Sequence, residues 1–260
     1  MDTLLLGLLI VGVSVVLAHI GLKIVRRKVP LEVLQSHHEV AGFIIGVMGA
    51  VYAVLLAFVV VAVWEQFEDA NTLVAREANQ ISDLSRMAQG FPVAVRGRVQ
   101  ESLKGYVRVA LDEDWPMMAQ GQSGHQSHPV IDNLWQTYRE IEPQTQRENA
   151  LYEASLERLN ELSDSRRMRL HASRNDLPLV VRILLWGGGF MTLAFTYFFG
   201  VKNVRSQALM TAALAIVLSF VLFLIVALDN PFHGSVRVSP EPLENALKII
   251  EAGTQPASTK

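Results

Sequence analysis

VAGFIIGVMGAVYAVLLAFVVVAVWEQFEDA, residues 40–70, is the stretch from which the rest of the chain is read. Its first 25 residues, Val40 to Trp64, carry no charge, and a helix needs about 20 apolar residues to cross a bilayer core. Small residues recur at Gly42, Gly46, Gly49, Ala53 and Ala57, in steps of four, three, four and four. On a helix they form one stripe. Such stripes let a second backbone approach and mark packed faces between membrane helices. Roughly opposite stand Met48, Tyr52, Leu55 and Val59, the candidates for lining a pathway, because hydrophobic constrictions gate channels. Past Trp64 the chain turns acidic at Glu65, Glu68 and Asp69 without a Gly or Pro, so the helix is expected to continue out of the membrane.

Three further apolar runs share this character, with spans expected at about residues 3–22, 179–201 and 209–228. The first span carries Ser14, Ala18 and Gly21 on one face, which predicts packing, and a lone His19 read as interfacial or bonded to a neighbour. Gly187-Gly188-Gly189 in the third span has no Gly-Lys-Ser/Thr after it and reads as a close helix contact or bend, not a phosphate loop. The expected architecture is all-α: a polytopic membrane protein with four transmembrane helices in two hairpins and a helical-bundle insert between spans two and three. The divisions are 1–64 for the first hairpin, 65–176 for the insert, 177–229 for the second hairpin and 230–260 for a C-terminal tail with a short amphipathic helix over 242–252.

Within the insert, residues 65–89, 93–111, 130–139 and 140–173 have helical patterning, while 112–129 is rich in turn formers and holds His125 and His128. Such elements predict a small antiparallel bundle. Arg166-Arg167-Met168-Arg169 reads as a solvated helix face, with lipid phosphates as the competing partner.

The composition sets limits. The chain has 260 residues, 50% of them hydrophobic and 18% charged, and a formal net charge of −2. No basic domain marks a nucleic-acid partner. With no cysteine, disulfides, thiolate chemistry and cysteine zinc sites are excluded. His37-His38-Glu39 lacks a second ligand pair at metal-site spacing, so neither a metal nor a cofactor is expected. Asp2 stands where a cleaved signal would have basic residues. The short loops carry Lys23, Arg26, Arg27, Lys28, Lys202 and Arg205. The positive-inside rule puts those loops in the cytoplasm and the insert with both termini outside. Arg166, Arg167, Arg169, Arg174 and Arg182 count against that orientation.

The chain resembles the bacterial bestrophin-like family. The resemblance rests on HEVAGFIIGVMGAVYAVLLAFVVVAVWEQFEDA, the Leu159 to Leu162 run with Arg166-Arg167 after it, Asp176-Leu177-Pro178, and LDNPFHGSVRVSP. It implies a multi-pass protein of the bacterial inner membrane, surrounded by lipid. More distantly the chain is similar to bestrophins, pentameric anion channels whose second helix lines the pore. That likeness implies a homo-oligomer and an inorganic anion as the conducted species, with the family motif at Trp64 and at Asn230, Pro231, Phe232 and Gly234. It also implies a cytoplasmic insert, against the loop charges. The acidic calcium-binding run of animal bestrophins is replaced by Ser235-Val236-Arg237, which predicts no such site.

Two function classes follow. One is an oligomeric ion channel. The other is a membrane-anchored sensor or partner-binding protein that uses the insert. No Gly-x-Ser-x-Gly, His-Glu-x-x-His, P-loop or dinucleotide fingerprint is present, so catalysis is not expected.

Overall fold

The computed structural model describes residues 3–36, 38–122, 128–234 and 236–254. His37, His125 and Ser235 lie outside them. The fold is all-helical in the order the sequence predicts. Four helices among the described residues are long and apolar enough to cross a membrane.

The helices are α1 (Thr3–Lys28), a six-residue α2 (Leu31–Ser36), α3 (His38–Ala88), α4 (Val93–Val109), a π-helical turn (Ala110–Asp114), α5 (Trp115–Ala119), α6 (His128–Arg139), α7 (Gln146–Ala172), α8 (Leu179–Thr196), α9 (Val204–Leu228) and α10 (Glu241–Thr254). α3 runs unbroken for 51 residues, as the lack of Gly and Pro past Trp64 predicts. It stops where Gln89 and Gly90 turn back onto the carbonyls of Arg86 and Met87, and a Cβ on Gly90 would strike Leu151. Thr145 caps α7 by accepting from the Glu148 N–H, while the Glu148 carboxylate takes the Gln144 N–H. This arrangement is close to a capping box. It fixes the start of α7 at Gln146, six residues later than the patterning suggested. Asn203 caps α9 by accepting from the N–H groups of Arg205 and Ser206. The turn-rich segment, 112–129, contributes the end of a π turn and α5. The third span ends at Thr196, not 201.

The chain forms two units. The first holds residues up to Glu65 together with Asp176–Asp229 and Gly234–Val236. Here α1 packs on α9, and α9 on α8. The small face of α1 does what its spacing predicts: Ala18 is buried, and Gly21 lies so close to the Tyr197 ring that a Cβ would overlap it. At the short-loop end, Arg26 donates from Nε to the Gln207 side chain at 2.8 Å and from Nη2 to the Val201 carbonyl. Gln207 in turn donates to the Phe199 and Thr196 carbonyls at 2.8 and 3.2 Å. These bonds tie down the segment that follows α8, where the Thr196 and Phe199 carbonyls also accept the Phe199 and Val201 N–H groups. At the other end, the Asp229 carboxylate accepts the Leu177 N–H at 2.8 Å and the Arg182 guanidinium at 3.1 Å; Asp176 shares that guanidinium. The motif residues around 176 and 229 are thus partners in one ion cluster.

The second unit holds Gln66–Asn175, Asn230–His233 and the residues from Arg237 on. Its apolar core draws Ile81 and Leu84 from α3, Leu103 and Val107 from α4, Leu134 from α6, Leu159 and Leu162 from α7, and Leu243, Ala246 and Ile250 from α10. The amphipathic helix of the tail therefore belongs to this core.

Candidate functional site

The two faces of α3 differ from the sequence expectation. Within the membrane unit the buried line is Ala41, Tyr52, Leu56, Val59 and Val63. Tyr52 donates its hydroxyl proton to the Leu185 carbonyl at 2.6 Å. Its ring fills the space a Cβ would take at Gly188 and Gly189, so these two of the three glycines in α8 make a close helix contact, while a Cβ on Gly187 would meet nothing within 4 Å. Two candidates for lining a pathway, Tyr52 and Val59, are therefore buried inside a single chain. Met48 and Leu55 are half-buried beside them. The reason at Tyr52 is volume: α8 offers Gly188 and Gly189, and the tyrosine ring fills the space beside them.

The small stripe makes few contacts with the described residues. A Cβ on Gly46 or Gly49 would meet nothing within 4 Å, and one on Gly42 only the Phe199 ring at 3.8 Å. Gly46, Ala53 and Ala57 are exposed. Beside the stripe runs a line of exposed apolar side chains, Val47, Val51, Val54, Phe58 and Val61, with Phe58 at 72% and Val51 at 68% exposure. Trp64, Glu65, Glu68 and Asp69 are exposed beyond it, and none of these three carboxylates has an ion-pair partner among the described residues.

The insert conceals an ion cluster that its sequence did not announce. Arg169 is fully buried. It donates from Nε to one Glu77 oxygen at 2.6 Å and from Nη2 to the other at 3.1 Å. The Tyr106 hydroxyl donates to the same Glu77 carboxylate at 2.5 Å. Asp114, on the π turn, stands 3.7 Å from Arg169. The Trp115 ring lies 5.9 Å from the guanidinium carbon, within cation–π range. Arg166 is buried too. The reading of 166–169 as a solvated face holds for Arg167, which pairs with Asp164 at the surface, and fails for Arg166 and Arg169. The clue was Glu77, a carboxylate at an apolar position of α3, seven residues after Ala70 and four before Ile81.

Burial, and then the adjoining Glu77 charge, push the Tyr106 phenol well above its ordinary range. Unfolded tyrosines ionise near pH 10, whereas Tyr106 keeps its proton beyond that. Its contribution to stability is therefore complete below about pH 10 and is lost as the pH rises through its folded pKa. Thermal midpoints measured between about pH 9 and 11 are expected to fall less steeply for Tyr106→Phe than for the wild type. Equal slopes would show that Tyr106 releases its proton as easily folded as unfolded.

The segment after the last span closes onto this cluster. Phe232 is buried, with its ring edge-on to Trp115 at 5.5 Å. Pro231 accepts the Val238 N–H at 2.7 Å, and His233 bonds to the Ala119 carbonyl through Nδ1. Gly234 has φ +83°, a conformation that favours glycine. The Asn230, Pro231, Phe232 and Gly234 motif is thus a turn that sets Phe232 into the core of the insert. His19 bonds to the Val15 carbonyl of its own helix at 3.0 Å. Among the described residues, no group of three or more His, Cys, Asp or Glu side chains is placed to hold a metal ion.

Similarity to known proteins agrees with this architecture. A variant of a bacterial Bestrophin homolog from Klebsiella pneumoniae matches with a TM-score of 0.73 at 12% identity, covering 96% of this chain and 99% of its own. A second variant of that homolog gives 0.70 at 12% identity with the same coverage. A structure described as a membrane protein gives 0.70 at 13% identity, again covering 96% and 99%. At these identities the likeness is one of fold. None of the curated proteins matches. The model of the Bestrophin-like domain matches residues 12–243, through all four spans and the insert, and this multi-pass membrane protein belongs to the Bestrophin-like family.

Proposed function

We propose that the protein is an ion channel assembled from several copies of this chain, with α3 of each copy facing a common axis. The observation that carries the reading is the uncovered face of α3. A span exposing Gly46, Ala53 and Ala57 gains nothing from lipid but accepts a second helix closely. The neighbouring line at Val47, Val51, Val54, Phe58 and Val61 then forms the apolar rings of the pathway, where a hydrophobic constriction gates by dewetting. This assigns the axis to a face other than Met48, Tyr52, Leu55 and Val59, of which Tyr52 instead holds α3 against α8. The fold shared with bacterial Bestrophin homologs supports the assembly.

The test is conductance. Purified protein in planar bilayers is expected to give discrete currents. Phe58→Ala is expected to raise them about tenfold, the effect of lowering a barrier by ~1.4 kcal/mol. A monomer without conductance would overturn the proposal. The resemblance implies anions, while the exposed Glu65, Glu68 and Asp69 at the exit favour cations, and the reversal potential distinguishes them. A second reading, a partner-binding protein, is favoured by a cleft of about 470 Å³ along α3 and α10, bounded by Asn71, Asn79, Glu241 and Asn245. Stoichiometric co-purification of another protein would support it.

A further inference from the structure

A long apolar groove runs between α1 and α8, with α9 as its floor, and has a volume of about 720 Å³. Its walls include Leu9, Val13, Leu17, Trp186 and Phe190, and Leu222 lies in the floor. On α1 the groove extends from Leu9 to Val25, a rise of about 24 Å at 1.5 Å per residue. The groove is open along its side, with Leu9, Leu17 and Phe190 all more than half exposed. Its apolar walls give water too few polar partners. An extended polymethylene chain matches both its length and its lining.

Apolar contact alone selects nothing in a membrane, because bulk lipid tails are equally apolar. Selectivity has to come from the end of the groove. Lys28 stands three and four residues beyond Val25 and Ile24, hence on the groove face of α1. Arg27 precedes it, and both side chains are exposed. Arg26 is not available, being bonded to Gln207 and the Val201 carbonyl.

We infer that the α1–α8 groove binds one acyl chain of an anionic phospholipid, with the headgroup phosphate held by Arg27 and Lys28. Two cations near the headgroup plane give roughly a tenfold or greater preference over a zwitterionic lipid.

The experiment is native mass spectrometry of the full-length protein in detergent, with added phosphatidylglycerol or phosphatidylcholine. The wild type is expected to retain phosphatidylglycerol about tenfold better. Val13→Trp, which obstructs the groove from a half-exposed position, is expected to abolish that retention at an unchanged thermal midpoint. The Arg27→Gln/Lys28→Gln variant, altered only at exposed positions, is expected to hold the two lipids equally. Equal retention of both lipids by the wild type overturns the inference. Phosphatidylglycerol retention by Val13→Trp at the wild-type level also does so and indicates annular lipid only. So does loss of the oligomer in Val13→Trp with lipid retention intact, which would show that another copy covers the groove.

Discussion

Arg169→Met is expected to lower the thermal midpoint of the purified protein by roughly 10 °C. The expectation follows from what the substitution leaves behind. Arg169 neutralises the Glu77 carboxylate, which is itself fully buried, and stands near the equally buried Asp114. Methionine has a similar length, so little space is vacated. The Glu77 carboxylate then loses both of the hydrogen bonds it accepts from the guanidinium, in a buried site. Breaking a buried pair from one side costs about 3–5 kcal/mol. For proteins of this size each kcal/mol corresponds to roughly 2–4 °C. The pair as a whole need not be worth that much, since removing two charges from water has its own cost. The double variant Glu77→Gln/Arg169→Met is therefore expected to be more stable than the sum of the single effects, with a coupling of about 0.5–3 kcal/mol. Arg167→Met, in the same helical turn but at the surface, is expected to stay within about 0.5 kcal/mol of wild type. Near-ultraviolet dichroism of Trp115, which faces the Arg169 guanidinium, reports on the same site. A midpoint for Arg169→Met within about 2 °C of wild type would show that water or another group compensates these carboxylates.

This cluster also marks where the sequence stops being legible. Apolar length alone was enough to find the four spans, because nothing but a helix can satisfy the backbone in lipid without a partner. Periodicity located α3, α4, α6, α7 and α10. Capping chemistry then moved the ends: Thr145 with Glu148 decides where α7 starts, and Gln207 binds the carbonyls where α8 finishes. The sign of a residue was readable, whereas its partner was not. Arg166, Arg169 and Arg182 look alike on paper to Arg167. Yet Arg182 lies between Asp176 and Asp229, and Arg169 lies on Glu77, so a count of free charges around the spans was distorted. The faces of α3 reversed for a similar reason. A glycine stripe predicts that some helix comes close. It does not say whether that helix is in the same chain. Here Gly188 and Gly189, on α8, receive Tyr52 of α3, while a Cβ on Gly46 or Gly49 of α3 would meet nothing within 4 Å among the described residues.

Neutralising the acidic exit of α3 is expected to change the ion preference of the channel several-fold. Glu65, Glu68 and Asp69 are exposed within about one helical turn of one another, just past the last apolar residues of the span. In an assembly with α3 around the axis, each copy contributes the same carboxylates, so they act as rings. Rings of Asp or Glu draw cations and repel anions at a mouth. Exposed charges are screened, which gives the test its control. The Debye length is about 8 Å at 0.15 M salt and about 30 Å at 0.01 M. The cation-to-anion permeability ratio, read from reversal potentials under a salt gradient, is expected to rise as the ionic strength falls. It is expected to drop several-fold at low salt in Glu65→Gln/Glu68→Gln/Asp69→Asn, and the effect should shrink at high salt. Conductance in symmetric high salt should change little, because the apolar rings near Phe58 set that barrier. A permeability ratio that favours anions in the wild type, and that neither the triple variant nor ionic strength alters, would place these carboxylates away from the conducting path. The exit of α3 would then face solvent or a neighbouring copy, and the selectivity would have to be set within the apolar span.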